Sequence, residues 1–168
     1  MFKIYRKWYE RTVRFFKENK TANTLLFIAY KVLPYLLFIA YPLLLLIEFF
    51  KMGFGIEWLK LVLIPLGTLI LATVLRKIIN AERPYEKFET ESVFGKKTEG
   101  NSMPSRHTVS AVVIAMAFMY VDPIHGIIVM AVSVLIVLSR VLSGAHYLRD
   151  VLVGIIIGLA AGQLFWMI

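Results

Sequence analysis

Hydrophobic and polar positions divide the chain into one amphipathic stretch and five apolar ones. Residues 2–18 predict an amphipathic helix. Phe2, Tyr5, Trp8, Tyr9, Thr12, Val13 and Phe16 fall on one side at helical spacing, and Lys3, Arg6, Lys7, Glu10, Arg11, Arg14 and Lys17 fall on the other. An aromatic face opposed to a basic one is the pattern of a helix lying in the headgroup plane. The apolar stretches run over 25–50, 58–75, 108–121, 124–138 and 151–168. Lys31 and Pro34 interrupt the first, and a snorkelling Lys31 puts the start of that span near Val32. The last three are shorter than the about 20 residues a bilayer requires, so they are expected to extend into their polar flanks. Gly154, Gly158 and Gly162 recur at i, i+4 and i+8 on the fifth stretch, a small-residue stripe expected to serve close packing within the monomer.

These stretches predict an all-α fold: a polytopic membrane helical bundle of five to six helices, with an N-terminal amphipathic interfacial helix. Residues 1–168 are expected to form a single domain, with the amphipathic helix in 1–20 and the functional motifs in 76–150. Turns at 52–55 and at Asp122-Pro123 join successive spans, and 80–102 forms the one long polar connection.

Composition agrees. Of the 168 residues 59% are hydrophobic, and the mean hydropathy is +0.72. There is no cysteine, which excludes a disulfide framework and a thiolate metal site. The N-terminus lacks the apolar core of a cleavable signal peptide. A net charge of +8 in so apolar a chain points to a bilayer with anionic lipids and to a phosphorylated substrate, not to nucleic acid.

Counting spans puts four ends on one membrane face: the end of the second, the start of the third, the end of the fourth and the start of the fifth. Arg76, Lys77 and Arg83-Pro84 follow the second. Ser102, Pro104, Ser105, Arg106 and His107 open the third. Arg140 closes the fourth, and His146 and Asp150 open the fifth. The opposite face is poorer, with Lys51, Glu57, Lys60, Asp122 and His125. Ionisable groups beside spans are costly and usually functional. Arginine forks match phosphate oxygens. Residues 101–107 are expected to start a helix, with Ser102 as cap and Pro104 in the first turn, and its free N–H groups suit an anion. His146 and Asp150, four apart on a helix, share a face, and a carboxylate on one imidazole nitrogen frees the other as nucleophile or base. Two histidines suffice for attack on phosphorus and for protonation of the leaving oxygen. A metal site would need His107 as third ligand, amid guanidinium and ammonium groups that repel a cation.

In this order, the residues resemble the three-part signature of the type-2 phosphatidic acid phosphatase family, which includes bacterial lipid phosphatases and soluble vanadium haloperoxidases. Its pattern is Lys-x6-Arg-Pro, Pro-Ser-x-His and Ser-Arg-x5-His-x3-Asp. The third part runs here from Ser139 to Asp150 without exception, and the second is Pro104-Ser105-Arg106-His107. The first departs: Arg76 stands where the family has lysine, and Lys77 lies one residue too close to Arg83. The resemblance spans about residues 70–168.

That resemblance implies phosphate binding by Arg76, or Lys77 in its place, with Arg83, Arg140 and the N–H groups around Ser105. It implies a phosphohistidine on His146, oriented by Asp150, and His107 as proton donor and then activator of water. No metal and no cofactor is implied. The function expected is hydrolysis of a lipid phosphomonoester or pyrophosphate, with undecaprenyl pyrophosphate and phosphatidylglycerophosphate first among the candidates. Transfer to another acceptor at the same site, or lipid binding without catalysis, are the alternatives. The family's location implies a bacterial cell membrane with the site facing the periplasm or exterior. The seven basic residues up to Lys20 argue for the cytoplasmic face under the positive-inside rule.

Overall fold

The computed structural model describes residues 2–168, with side chains from residue 3; the expected place of the Phe2 side chain lies outside these. Eight α-helices and one π-helical turn follow in order: α1 (Phe2–Glu18), α2 (Lys20–Phe27), the π-turn (Ile28–Val32), α3 (Leu33–Met52), α4 (Ile56–Ile79), α5 (Pro84–Lys87), α6 (Arg106–Val121), α7 (Pro123–Leu142) and α8 (Leu148–Met167). The protein is an all-helical membrane bundle. Four stretches are long and apolar enough to cross a bilayer: Lys20–Met52, Ile56–Lys87, Pro123–Leu142 and Leu148–Met167. The shorter apolar helix α6 packs against α4, α7 and α8 at the centre.

Helix α6 is central because its middle is rich in small apolar residues. Val109, Ala111, Val112, Val113, Ala115 and Ala117 are all buried. Lipid tails are as apolar as these side chains, so close van der Waals packing has to supply the association. The glycine stripe of α8 provides it within the monomer. A Cβ built on Gly158 would lie 2.7 Å from Val112 Cβ, one on Gly154 3.0 Å from Thr108 Cβ, and one on Gly162 2.5 Å from Met116 Cγ.

The flanks extend as the span lengths require, except in one case. Helix α7 reaches Leu142 and α8 starts at Leu148, which brings Arg140 and Asp150 inside helices. Helix α6 stays at 16 residues; surrounded by protein, it does not have to match the bilayer. The first span begins well before Val32. Asn19 caps it, its Oδ1 accepting from Ala22 N at 3.0 Å, and the helix runs on through the π-turn. Lys31 sits in that turn, 5.5 Å from the Phe27 ring.

Helix α1 docks one apolar stripe on the protein. Tyr9 and Val13 are buried with Tyr85, Phe88 and Val93, and Tyr5, Phe16 and Tyr147 pack around them. Tyr9 Oη donates to the carbonyls of Gly144 and Glu91, each at 3.4 Å. Ile4, Trp8 and Phe15 form a neighbouring stripe that stays exposed. The helix lies with one stripe against the protein and the next facing outward, and with the basic residues on its third side.

Candidate active site

The sequence-predicted residues Arg76, Lys77, Arg83, Ser105, His107, Arg140, His146 and Asp150 lie around the ends of α4, α6, α7 and α8 on one face, close to the α7–α8 turn. Asp150 and His146 are 0% and 1% exposed. Asp150 Oδ2 accepts from Tyr147 N at 3.0 Å and faces His146 Nδ1 at 3.6 Å. The same oxygen accepts from Ser102 Oγ at 2.5 Å, and Ser102 Oγ lies 3.3 Å from His146 Nδ1. Ser102 is therefore not the helix cap expected of it. Its N–H is tied to the Ala81 carbonyl at 2.8 Å, which turns the hydroxyl inward, and α6 begins later, with Ser105 at the N-cap position and Pro104 outside the helix. His146 N donates to the Arg140 carbonyl at 3.2 Å, fixing the histidine at the turn. Burial, assisted by the charges of Arg83 and Lys96, pushes the His146 imidazole down to about 4, against the upward pull of Asp150.

Ser105 is buried, and its own N–H is taken by the Asp150 carbonyl at 3.0 Å. The N–H groups left for an anion near Ser105 are those of the first turn of α6, beginning at Arg106. Arg140 is buried, with Nη2 donating to the Tyr30 carbonyl at 2.6 Å and its guanidinium 4.2 Å from the Tyr30 ring centre. Its Nε has no protein partner. Arg83 is 1% exposed and divided among carbonyls: Nε to Gly100 at 3.0 Å, Nη1 to Ala145 at 3.1 Å and Nη2 to Asn101 at 3.4 Å. It ties the long loop to the α7–α8 turn and keeps two of its five N–H groups for other partners.

Two cavities meet here. A polar one of about 380 Å³ is lined by Arg76, Lys77, Arg83, Lys96, Arg106 and His107, among others. An apolar one of about 860 Å³ lies along α3 between Tyr35, Phe38, Leu69 and Ile114. Arg106 and His107 line both, and Arg140 lines the apolar one. Arg76 is half-buried and Lys77 exposed, and both face the polar cavity, so the departure at position 76 leaves cations of both kinds there. Cations on the opposite face are paired instead, Lys51 with Glu48 at 2.8 Å and Lys60 with Glu57 at 2.9 Å. Among the described residues no group of three or more His, Asp or Glu is placed to hold a metal ion.

Residues 57–168, which are 112 of the 168, match the family model of the PAP2 superfamily. The chain belongs to the PAP2 superfamily. No curated protein matches it. Among solved structures it is similar to the "first transmembrane PAP2 type phosphatidylglycerolphosphate phosphatase from Bacillus subtilis", at 21% identity and a TM-score of 0.58, over 95% of this chain and 91% of that one. At that identity the likeness supports the PAP2 fold, and nothing finer.

Sequence reasoning missed two contributors to this PAP2 site. Ser102 was visible as a serine near a helix start, but its hydrogen bond to Asp150 spans 48 residues. Tyr30 lies in a region without any signature. The π-turn is the only signal, and such turns frequently mark functional positions. Here its carbonyls meet the third motif, with Ala29 O accepting from Ser139 Oγ at 3.3 Å and Tyr30 O from Arg140.

Proposed function

We propose that this protein is an integral-membrane lipid phosphatase that hydrolyses a phosphomonoester or pyrophosphate lipid through a phosphohistidine on His146. The observation that carries the proposal is the junction at Arg106 and His107 of an apolar groove of about 860 Å³ and a pocket lined by cations. A molecule with an apolar chain and a phosphorylated end fills both cavities at once. Undecaprenyl pyrophosphate and phosphatidylglycerophosphate are the leading substrates; the second is the kind named for the Bacillus neighbour.

The chemistry follows from the side chains. His146 is neutral at physiological pH because burial disfavours the imidazolium. Asp150 and Ser102 hold Nδ1, so Nε2 is the atom that attacks phosphorus. The phosphorus–oxygen bond to the lipid breaks, and its electron pair leaves on oxygen with a proton from His107, which burial and the surrounding cations keep neutral until the negative charge of the bound phosphate lets it take that proton up. Water then attacks the phosphohistidine, His107 takes its proton, and phosphate departs with the imidazole restored. Arg140, the remaining N–H groups of Arg83, and Arg76 or Lys77 stabilise charge on the equatorial oxygens. No step requires a metal ion, and the cationic pocket repels one. The site is assigned to the exterior face of a bacterial membrane on the family resemblance.

The test is phosphate release from purified lipid and prenyl phosphates in EDTA by wild type and His146→Ala. Release that survives EDTA and disappears in the variant is expected. Release abolished by EDTA would assign the histidines to a metal and overturn the mechanism.

A further inference from the structure

Lys96 belongs to no part of the signature, yet the long loop delivers it into the polar cavity. Its position is built. The buried Ser92 Oγ accepts from Lys96 N at 2.8 Å, and Gly95, at φ +58°, turns the chain just before it. Val93 N donates to the Ser143 carbonyl at 3.0 Å, pinning the loop to the α7–α8 turn, and Phe94 packs 4.9 Å from the Tyr30 ring. No carboxylate pairs with Lys96 among the described residues. Its charged surroundings are the guanidiniums of Arg83, Arg140, Arg76 and Arg106, which together with burial hold the ammonium down to about 8. Lysine, half-buried among arginines without a counter-ion, costs free energy until an anion arrives.

The charge in the pocket exceeds what one phosphate balances. Arg76, Lys77, Arg83, Lys96 and Arg106 line it with one carboxylate, Glu99, for a formal charge of +4. A phosphomonoester brings about −1.5 to −2 at pH 7. Arg106 also lines the apolar groove, so it stands where the phosphate nearest the tail would pass.

We propose that Lys96 and Arg106 form a second phosphate subsite, between the tail groove and the phosphoryl group that His146 attacks, and that this subsite makes the enzyme prefer lipid diphosphates to monophosphates. The proposal rests on the reading of His146 as phosphoryl acceptor. On a diphosphate, His146 Nε2 bonds to the terminal phosphorus and the bond from that phosphorus to the bridging oxygen breaks. The electron pair leaves on the lipid monophosphate, which takes the proton of His107 and whose remaining charge Lys96 and Arg106 hold. Water then cleaves the phosphohistidine, its proton passing to His107.

Calorimetric titration of the full-length protein in detergent with inorganic pyrophosphate and with orthophosphate tests the subsite without turnover. Wild type is expected to bind pyrophosphate at least tenfold more tightly than orthophosphate. Lys96→Met and Arg106→Met should each lose most of that ratio, with Lys96→Arg retaining it and thermal melts confirming folding. In parallel, kcat/KM should fall at least tenfold more for a prenyl diphosphate than for a prenyl monophosphate in the two methionine variants. Equal affinities in wild type, or an equal loss for both anions in Lys96→Met, would overturn the subsite. A retained anion ratio with no lipid hydrolysis would sink the phosphatase reading alone, and hydrolysis without the ratio would sink the subsite alone.

Discussion

Ser102 and His146, 44 residues apart, meet at one oxygen: Asp150 Oδ2 accepts from the Ser102 hydroxyl and faces the His146 imidazole. Ser102 therefore sets the carboxylate's orientation and, through it, which imidazole nitrogen the carboxylate holds. A hydrogen bond to a charged group is worth about 1.5–3 kcal/mol, or about 10- to 100-fold in rate. Ser102→Ala is expected to lower kcat by that factor with KM little changed, and Ser102→Thr to recover part of it. A parallel change in KM with no effect on kcat would show that the hydroxyl acts on substrate binding instead.

The state of His146 is open to direct titration. Its depressed pKa, about 4, makes the neutral nucleophile available above that pH, and protonation removes it as pH falls through about 4. NMR of ¹³C-labelled histidine, with His146→Gln for assignment, should find this ring neutral down to about pH 5. Removing a neighbouring positive charge with Lys96→Met should move its titration upward, since Lys96 is one cause of the depression. A midpoint near the ordinary value of about 6.5 in wild type would mean that the ring is solvated.

How much was legible beforehand follows from the kind of signal each feature leaves. Apolar runs reveal spans because lipid imposes length and composition, so α4, α7 and α8 appear in the sequence within a turn or so at most ends. The third motif is dense, and its residues fall together because the end of α7, the start of α8 and the turn between them carry them. Tyr30 leaves no such trace, and Lys96 stands out in the sequence only as one of three loop lysines, with Lys87 and Lys97, that could engage a second phosphate. Lys96 reaches the pocket through a backbone turn on Ser92, and Tyr30 serves through a carbonyl that any residue could offer. The four-residue helix Pro84–Lys87 hid for a related reason. Its start depends on Glu86 Oε2 accepting from Arg83 N at 2.8 Å, a local bond with no periodicity behind it.

Helix α8 can lie close to α6 only without side chains at its glycines. Gly158→Ala would bring Cβ to 2.7 Å of Val112 Cβ and 3.1 Å of the Val109 carbonyl oxygen. Overpacking of this kind costs about 1–3 kcal/mol, which should lower the melting temperature in detergent by roughly 2–10 °C. Gly55→Ala, in open space with extended backbone, is the control and should leave it unchanged. Equal melting of both variants would mean that α8 packs elsewhere in solution.

Topology is testable because the chain contains no cysteine. Helix α1 docks beside the long loop, with Lys17 Nζ 2.8 Å from Glu91 Oε2, so the N-terminal segment and the loop share one membrane face. The turn around Phe54 follows one crossing by Lys20–Met52 and belongs on the other face. Single Thr21→Cys and Lys97→Cys variants should therefore react alike with an impermeant thiol reagent in intact cells, and Phe54→Cys oppositely. Labelling of the first two without permeabilisation is the outcome expected for an exterior site. Protection of both, with Phe54→Cys labelled, would put the site on the cytoplasmic face, where the seven basic residues up to Lys20 meet the positive-inside rule. Opposite behaviour of Thr21→Cys and Lys97→Cys would contradict the docking of α1 itself.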